Sequence, residues 1–134
     1  MNDQDGMDKD PSPTGELTLQ TLAMPKDTNA NGDIFGGWLV SQMDLAAGIT
    51  MKRVAKGRSA TVAIKNVNFL YPVNVGSTVS CYAEVEEIGR SSAHINIEVW
   101  IFNAGKDEHL RKVAEGLFIY VAIDDNGRTR PIPR

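Results

Sequence analysis

One cysteine, Cys81, stands alone in 134 residues, so neither an internal disulfide framework nor a multi-cysteine zinc site can be built. Only two histidines, His94 and His109, are present. No stretch approaches the ~20 consecutive apolar residues of a membrane helix. The first residues, MNDQDGMDKDPSPTGE, contain neither a basic patch nor an apolar run and do not read as a secretory signal. There is also no basic excess. The net charge is −3 and the pI about 5.3, and no basic stripe with interleaved aromatics marks a nucleic-acid surface. These absences point to a cytoplasmic protein without membrane or nucleic-acid partners.

The acidity is local. Residues 1–16 hold five acids against one lysine, which leaves 13 basic and 12 acidic groups in the rest of the chain. A polar, Asp- and Pro-containing segment without apolar periodicity reads as a disordered acidic tail over residues 1–14. What remains, 42% hydrophobic across the whole chain, has the size of one domain able to fold without metal or disulfide. Its bounds are set at 15–127, followed by a short C-terminal tail, 128–134.

Within the domain, residues 17–22 read as a strand and 24–33 as a loop rich in turn formers. Over 38–55 the apolar period becomes helical. Leu39, Met43, Ala46, Ala47, Thr50 and Val54 share one face, extended by Val40 and Met51. Lys52 and Arg53 suit the negative end of the helix dipole, and Lys56-Gly57 offers a glycine stop. Four further strands follow, over 60–71, 77–88, 91–102 and 112–123. In the last, Val113, Leu117, Ile119 and Val121 are placed on the inward face; 103–109 is placed in a turn. The order β-α-β-β-β-β predicts an α+β fold in which an antiparallel sheet wraps around one mostly apolar helix.

The densest cluster of unusual residues is DTNANGDIFGGW, residues 27–38, followed by Asp44. Asp27, Asn29, Asn31 and Gly32 match positions one, three, five and six of a calcium loop. Position twelve requires a bidentate glutamate and is Trp38, and a strand rather than a helix precedes the loop, so no metal site is assigned. A second reading places a reaction site at a helix N-terminus. Gly36-Gly37 leaves backbone N–H groups open to stabilise a developing oxyanion. Asp44, two turns on, lies at the edge of the apolar stripe, where a carboxylate suits a general base or nucleophile.

The stretch LAMPKDTNANGDIFGGWLVSQMD (22–44), with NFLYPVNVG (68–76) and INIEVW (95–100), resembles the hotdog-fold acyl-CoA thioesterases of the bacterial YciA type. The resemblance implies a hotdog fold and the hydrolysis of acyl-CoA to free acid and CoA, with no cofactor beyond the CoA of the substrate. It implies that Asp44 is the catalytic carboxylate, that Asn29 positions thioester or water, and that the Gly37 amide binds the thioester oxygen. It also implies that Asn29 and Asp44 meet across two subunits, so that a homodimer is the minimal active unit and a hexamer, a trimer of dimers, the expected assembly. For the CoA phosphates the basic residues Arg58 and Arg90 are the candidates, with Ser59 and Thr61 along the pantetheine path. Dehydratases of this fold carry a catalytic histidine ahead of the helix, where this chain has none. His94 reads as a packing or interface residue and His109 as a solvated turn residue. Cys81 reads as a buried small hydrophobe, Trp38 and Trp100 as core or interface residues, and Asp33 as a cap. A non-catalytic acyl-CoA-binding module on the same fold is the competing reading.

Overall fold

The computed structural model describes residues 12–103 and 107–134, and of residues 103 and 107–109 the backbone alone; most of the acidic tail and the His109 side chain lie outside the described residues. Five antiparallel strands form one sheet: β1 (Glu16–Leu22), β2 (Ser59–Phe69), β3 (Thr78–Ile88), β4 (Ser92–Asn103) and β5 (Asp107–Ala122). Their spatial order is β1-β3-β4-β5-β2, so β1 and β2 are the free edges. A single α-helix, α1 (Gly36–Ala55), packs against the sheet, and a 3₁₀ turn (Pro25–Asp27) precedes it. This is the expected antiparallel wrap around one helix. Among the described residues no helix is long and apolar enough to cross a membrane.

The helix buries the stripe read from its sequence. Leu39, Met43, Ala46, Ala47, Thr50, Met51 and Ala55 are buried, against Val79, Cys81, Ile95, Ile97, Val99, Val113 and Phe118 from the sheet. Each fully buried Met, Ile or Phe removes enough apolar surface from water to contribute about 1.5–3 kcal/mol. The helix starts two residues earlier than the apolar period indicates, because Gly36 and Gly37 are wound into its first turn. Its end also differs from the expectation. Lys56, not Gly57, takes the left-handed conformation, at φ 53°, and returns its N–H to the Lys52 carbonyl. Gly57 serves close approach instead: a Cβ there would sit 2.7 Å from Nη2 of Arg130.

Two strand assignments are corrected. β5 begins at Asp107 because the β4–β5 ladder runs out to Asn103 opposite Asp107, where a turn over 103–109 was expected. Its inward face is also the other one. Phe118, Tyr120 and Ala122 are buried toward the helix, whereas Leu117, Ile119 and Val121 lie half-buried on the opposite face. Because side chains alternate along a strand, choosing the aliphatic set over the aromatic one reverses residues 117–122; Val113, ahead of them, is buried in the core as expected, beside the register shift between Val99 and Trp100. Residues 128–134, set apart as a tail, lie against the body. Ile132 is buried, and Arg130 bonds the carbonyls of Ala55, Arg58 and Ile123 through its guanidinium.

Candidate functional site

Asp44 sits midway along α1, half-buried, on the flank facing β2 and β5. Its Oδ1 accepts two hydroxyl hydrogen bonds, from Thr61 at 2.7 Å and from Tyr120 at 2.6 Å. These two residues face each other across the β2–β5 ladder. The Tyr120 hydroxyl also lies 2.8 Å from the Asp44 backbone carbonyl. Among the described residues no hydrogen bond reaches Oδ2, which is left for a water molecule or a substrate. Burial raises the Tyr120 phenol above its ordinary value, and the hydrogen bond to Asp44 and its charge add to this. Tyr120 is therefore a protonated donor throughout the physiological range. Reading the sequence alone missed it, and the face reversal in β5 is the reason. The available signal was the aromatic pair Phe118 and Tyr120 alternating in one strand.

Asn29 stands on the loop between β1 and α1. The backbone of residues 28–34 closes on itself: Thr28 bridges to Ile34, and Asn29 N–H donates to the Asp33 carbonyl at 2.7 Å. The Asn29 Oδ1 accepts from the N–H groups of Asn31 and Asp33. With the carbonyl end occupied, the amide presents its NH₂ end, a donor, to solvent. The loop is anchored by Asp27, a buried carboxylate that accepts from the Met24 N–H and pairs with Lys26. Two of the side chains that a calcium loop would turn toward an ion, Asp27 and Asn29, are thus bonded to the loop's own amides and Lys26. Among the described residues no group of three or more His, Cys, Asp or Glu side chains could hold a metal ion.

Asn29 and Asp33 line an open cleft of about 340 Å³ together with Gly36, Phe69, Tyr71 and Val73. Gly37 follows at its edge. Trp38 and Leu39 N–H turn back to the Phe35 carbonyl, while the first two helical amides, of Gly36 and Gly37, have no such partner among the described residues. Gly37 and Asp44 are seven residues apart, about 10 Å along the helix axis.

The remaining candidates separate into other places. Thr61 is at the Asp44 carboxylate. Ser59, half-buried, pairs with Ala122 at the end of β2. Arg58 and Arg90 lie at that same end of the sheet, since Ala122 N–H donates to the Ser91 carbonyl and Ile132 N–H to that of Arg90. Arg58 is exposed and caps the carbonyls of Asp124 and Asp125. His94 is half-buried, with Nδ1 4.0 Å from Glu87. Trp100 is buried and donates to Glu98. Trp38 packs against the core. Cys81 is fully buried, and burial pushes its thiol up to about 12, so it is neutral and unreactive.

Residues 31–106 match the family described as the thioesterase superfamily. The acyl-CoA thioester hydrolase YciA of Salmonella typhimurium is 52% identical over 126 residues, 92% of this chain and 95% of the relative. Among solved structures, the hexameric thioesterase y2039 from Yersinia pestis aligns with a TM-score of 0.88 at 50% identity, over 92% of this chain and all of that one. HI0827, a hexameric broad specificity acyl-coenzyme A thioesterase solved as an aspartate-to-alanine variant, aligns with a TM-score of 0.88 at 49% identity, over 90% of this chain and 88% of that one. The chain therefore belongs to the thioesterase superfamily and, within it, to the hotdog-fold acyl-CoA thioester hydrolases of the YciA type.

Proposed function

We propose that the protein hydrolyses acyl-CoA thioesters to a carboxylic acid and CoA, with Asp44 as the reacting carboxylate. The observation that carries this is the half-dressed carboxylate: Oδ1 is held by two hydroxyls, and among the described residues none bonds Oδ2. From there Asp44 either takes a proton from attacking water or attacks the carbonyl itself. Water adds across the acyl–sulfur bond in sum, the oxygen going to the acyl carbon and a proton to the sulfur. A thioester carbonyl is electrophilic and a thiolate leaves readily, so a carboxylate with oxyanion donors is chemically sufficient. The Gly37 amide and the Asn29 NH₂ are the donors proposed for the oxyanion.

The Gly37 amide lies seven residues, about 10 Å along the helix axis, from Asp44, so the reading calls for a second chain. Four apolar side chains beside the Asp44–Thr61 contact support it. Leu45 and Ile49 on α1 are 56% and 45% exposed, and Val62 and Ile64 on β2 are 56% and 43% exposed. An apolar edge strand next to an apolar helix flank is a surface that a second copy covers. A homodimer with the Asp44 of one chain facing the Asn29–Gly37 loop of the other follows, as does a hexamer like those of the relatives. Arg58 and Arg90, some three residues along the sheet from the reacting carboxylate, are the cations proposed for the CoA phosphates.

The test is release of free thiol from a panel of acyl-CoAs by the wild type and by Asp44→Ala. Thiol release that is lost in the variant is expected. A variant that keeps full hydrolysis overturns the assignment, and a wild type that binds acyl-CoA without releasing CoA is a binding module instead.

A further inference from the structure

Tyr120 is absent from every role assigned so far, yet it makes the shortest contact to the Asp44 carboxylate, 2.6 Å from Oδ1. It is 5% exposed, its ring clamped between the helix and the sheet. A phenol has one proton and here two acceptors, the Asp44 carboxylate and, at 2.8 Å, the Asp44 carbonyl. The ionised oxygen is the stronger acceptor. Thr61, opposite Tyr120 in register, supplies the second donor to the same Oδ1. Two donors converging on one oxygen from two neighbouring strands restrict the orientation of the carboxylate, and among the described residues none bonds Oδ2.

The helix is shaped to admit this phenol. Gly48, one turn beyond Asp44, has no Cβ, and one added there would lie 3.3 Å from the Tyr120 hydroxyl oxygen and 3.9 Å from ring carbons. Glycine in the middle of a helix is unfavourable relative to alanine. At this position the hydroxyl of Tyr120 takes up the room that the missing methyl leaves.

We infer that Tyr120 is a positioning residue for the thioesterase reaction, its hydroxyl fixing the Asp44 carboxylate in the reactive orientation, and that Gly48 is the complementary vacancy in α1 that lets it do so. The inference rests on the proposed acyl-CoA hydrolysis. The charged side chains of the three elements around Asp44 stand away from it. Lys52 and Arg53 lie two turns or more beyond it on α1, Arg58, just ahead of β2, and Lys65 on β2 lie three and four residues from Thr61, and Glu115 lies five from Tyr120 on β5. Among the described residues no ion pair reaches the Asp44 carboxylate, which the two hydroxyls hold.

The experiment is steady-state kinetics on one acyl-CoA that the wild type hydrolyses, with Tyr120→Phe, Gly48→Ala and the double variant. Loss of an orienting contact acts on the chemical step, so Tyr120→Phe should lower kcat about ten-fold with KM changed by less than about two-fold. Gly48→Ala should lower kcat in the wild-type background by pushing the phenol aside. In the Tyr120→Phe background, where the hydroxyl is gone, it should have no further effect on kcat. A merely structural pair would not give that non-additivity in kcat. Wild-type kcat in Tyr120→Phe, a change in KM alone, or equal losses from Gly48→Ala in both backgrounds would overturn the inference. Should Tyr120→Phe fail to fold, Gly48→Ala decides alone, wild-type kcat being the negative result. A wild type that releases no CoA from any substrate refutes the underlying activity instead.

Discussion

Replacing Ile49 by glutamate tests the requirement for two chains without touching the reacting groups. Ile49 is on the exposed flank of α1, 45% exposed in the single chain, and no polar contact of the site involves it. The fold of one chain should therefore lose little, within about 0.5 kcal/mol, as for other surface substitutions. The assembled form should lose much more. Covering the remaining half of an isoleucine is worth about 1 kcal/mol, and desolvating a carboxylate in its place costs about 2 kcal/mol or more after relaxation. A two-fold interface presents the residue twice, so the penalty is about 6 kcal/mol, or roughly four decades in the dissociation constant. Light scattering behind a sizing column should show a monomer at micromolar concentration, with circular dichroism and melting close to wild type. The same sample should not hydrolyse acyl-CoA at a rate above background, and activity should return steeply as protein concentration rises. A folded Ile49→Glu monomer with the kcat of the wild type would refute the two-chain site, because the ~10 Å between Asp44 and the Gly37 amide would then have to be bridged within one chain.

Asn29→Ala should lower kcat and also shorten the lifetime of the 28–34 loop, since Asn29 Oδ1 holds the N–H groups of Asn31 and Asp33; hydrogen exchange of those two amides reads the second effect, and unchanged exchange would contradict the loop geometry. Cys81 should not react with a thiol reagent in the native protein and should react once on unfolding, because it is buried with its thiol pushed up to about 12; a native-state burst would contradict its burial. Phe118→Ala should destabilise the fold by about 3–5 kcal/mol in denaturant melts, as for other fully buried aromatics. Lys112→Met removes the cation shared by Glu98 and Glu115. Hydrogen bonding to Lys112 lowers the Glu115 carboxyl, and the Glu115 hydrogen bond raises the Lys112 ammonium. A depressed carboxyl stabilises above its unfolded value and loses that contribution as pH falls through the folded one; a raised ammonium loses its contribution as pH rises through its folded value. The melting difference between Lys112→Met and wild type should therefore be present at neutral pH and shrink at both extremes.

The helix was legible because its burial follows a single 3.6-residue period, and Leu39, Met43, Ala46, Ala47 and Thr50 are buried as that period requires. β3 and β4 were legible for the same reason at period two. β5 was not, because both of its faces are apolar. Leu117, Ile119 and Val121 compete with Phe118, Tyr120 and Ala122, and hydrophobicity alone does not rank them. What decides is volume: the helix leaves space at Gly48 and Met43 packs nearby, so the aromatic set turns inward. That one choice concealed Tyr120 and with it half of the support around Asp44. Asp44 and Asn29 themselves were visible in the motif, but the orientation of the Asn29 amide depends on loop hydrogen bonds that no pattern of residue types specifies. Arg58 illustrates the opposite limit. Its charge is plain in the sequence, whereas its hold on the Asp124 and Asp125 carbonyls is a product of the fold.

Arg130 gives the helix a dependence on time. The carbonyl of Ala55, in the last turn of α1, is met by a guanidinium 75 residues further along the chain, which also holds the carbonyls of Arg58 and Ile123. During synthesis, at about 5–20 residues per second, the helix exists for several seconds before that partner is made. The contacts of Arg130 to its end and to the residue ahead of β2 form only once residue 130 has emerged. The surface of Leu45, Ile49, Val62 and Ile64 is thus made well before the contact that secures the end of the helix carrying Asp44.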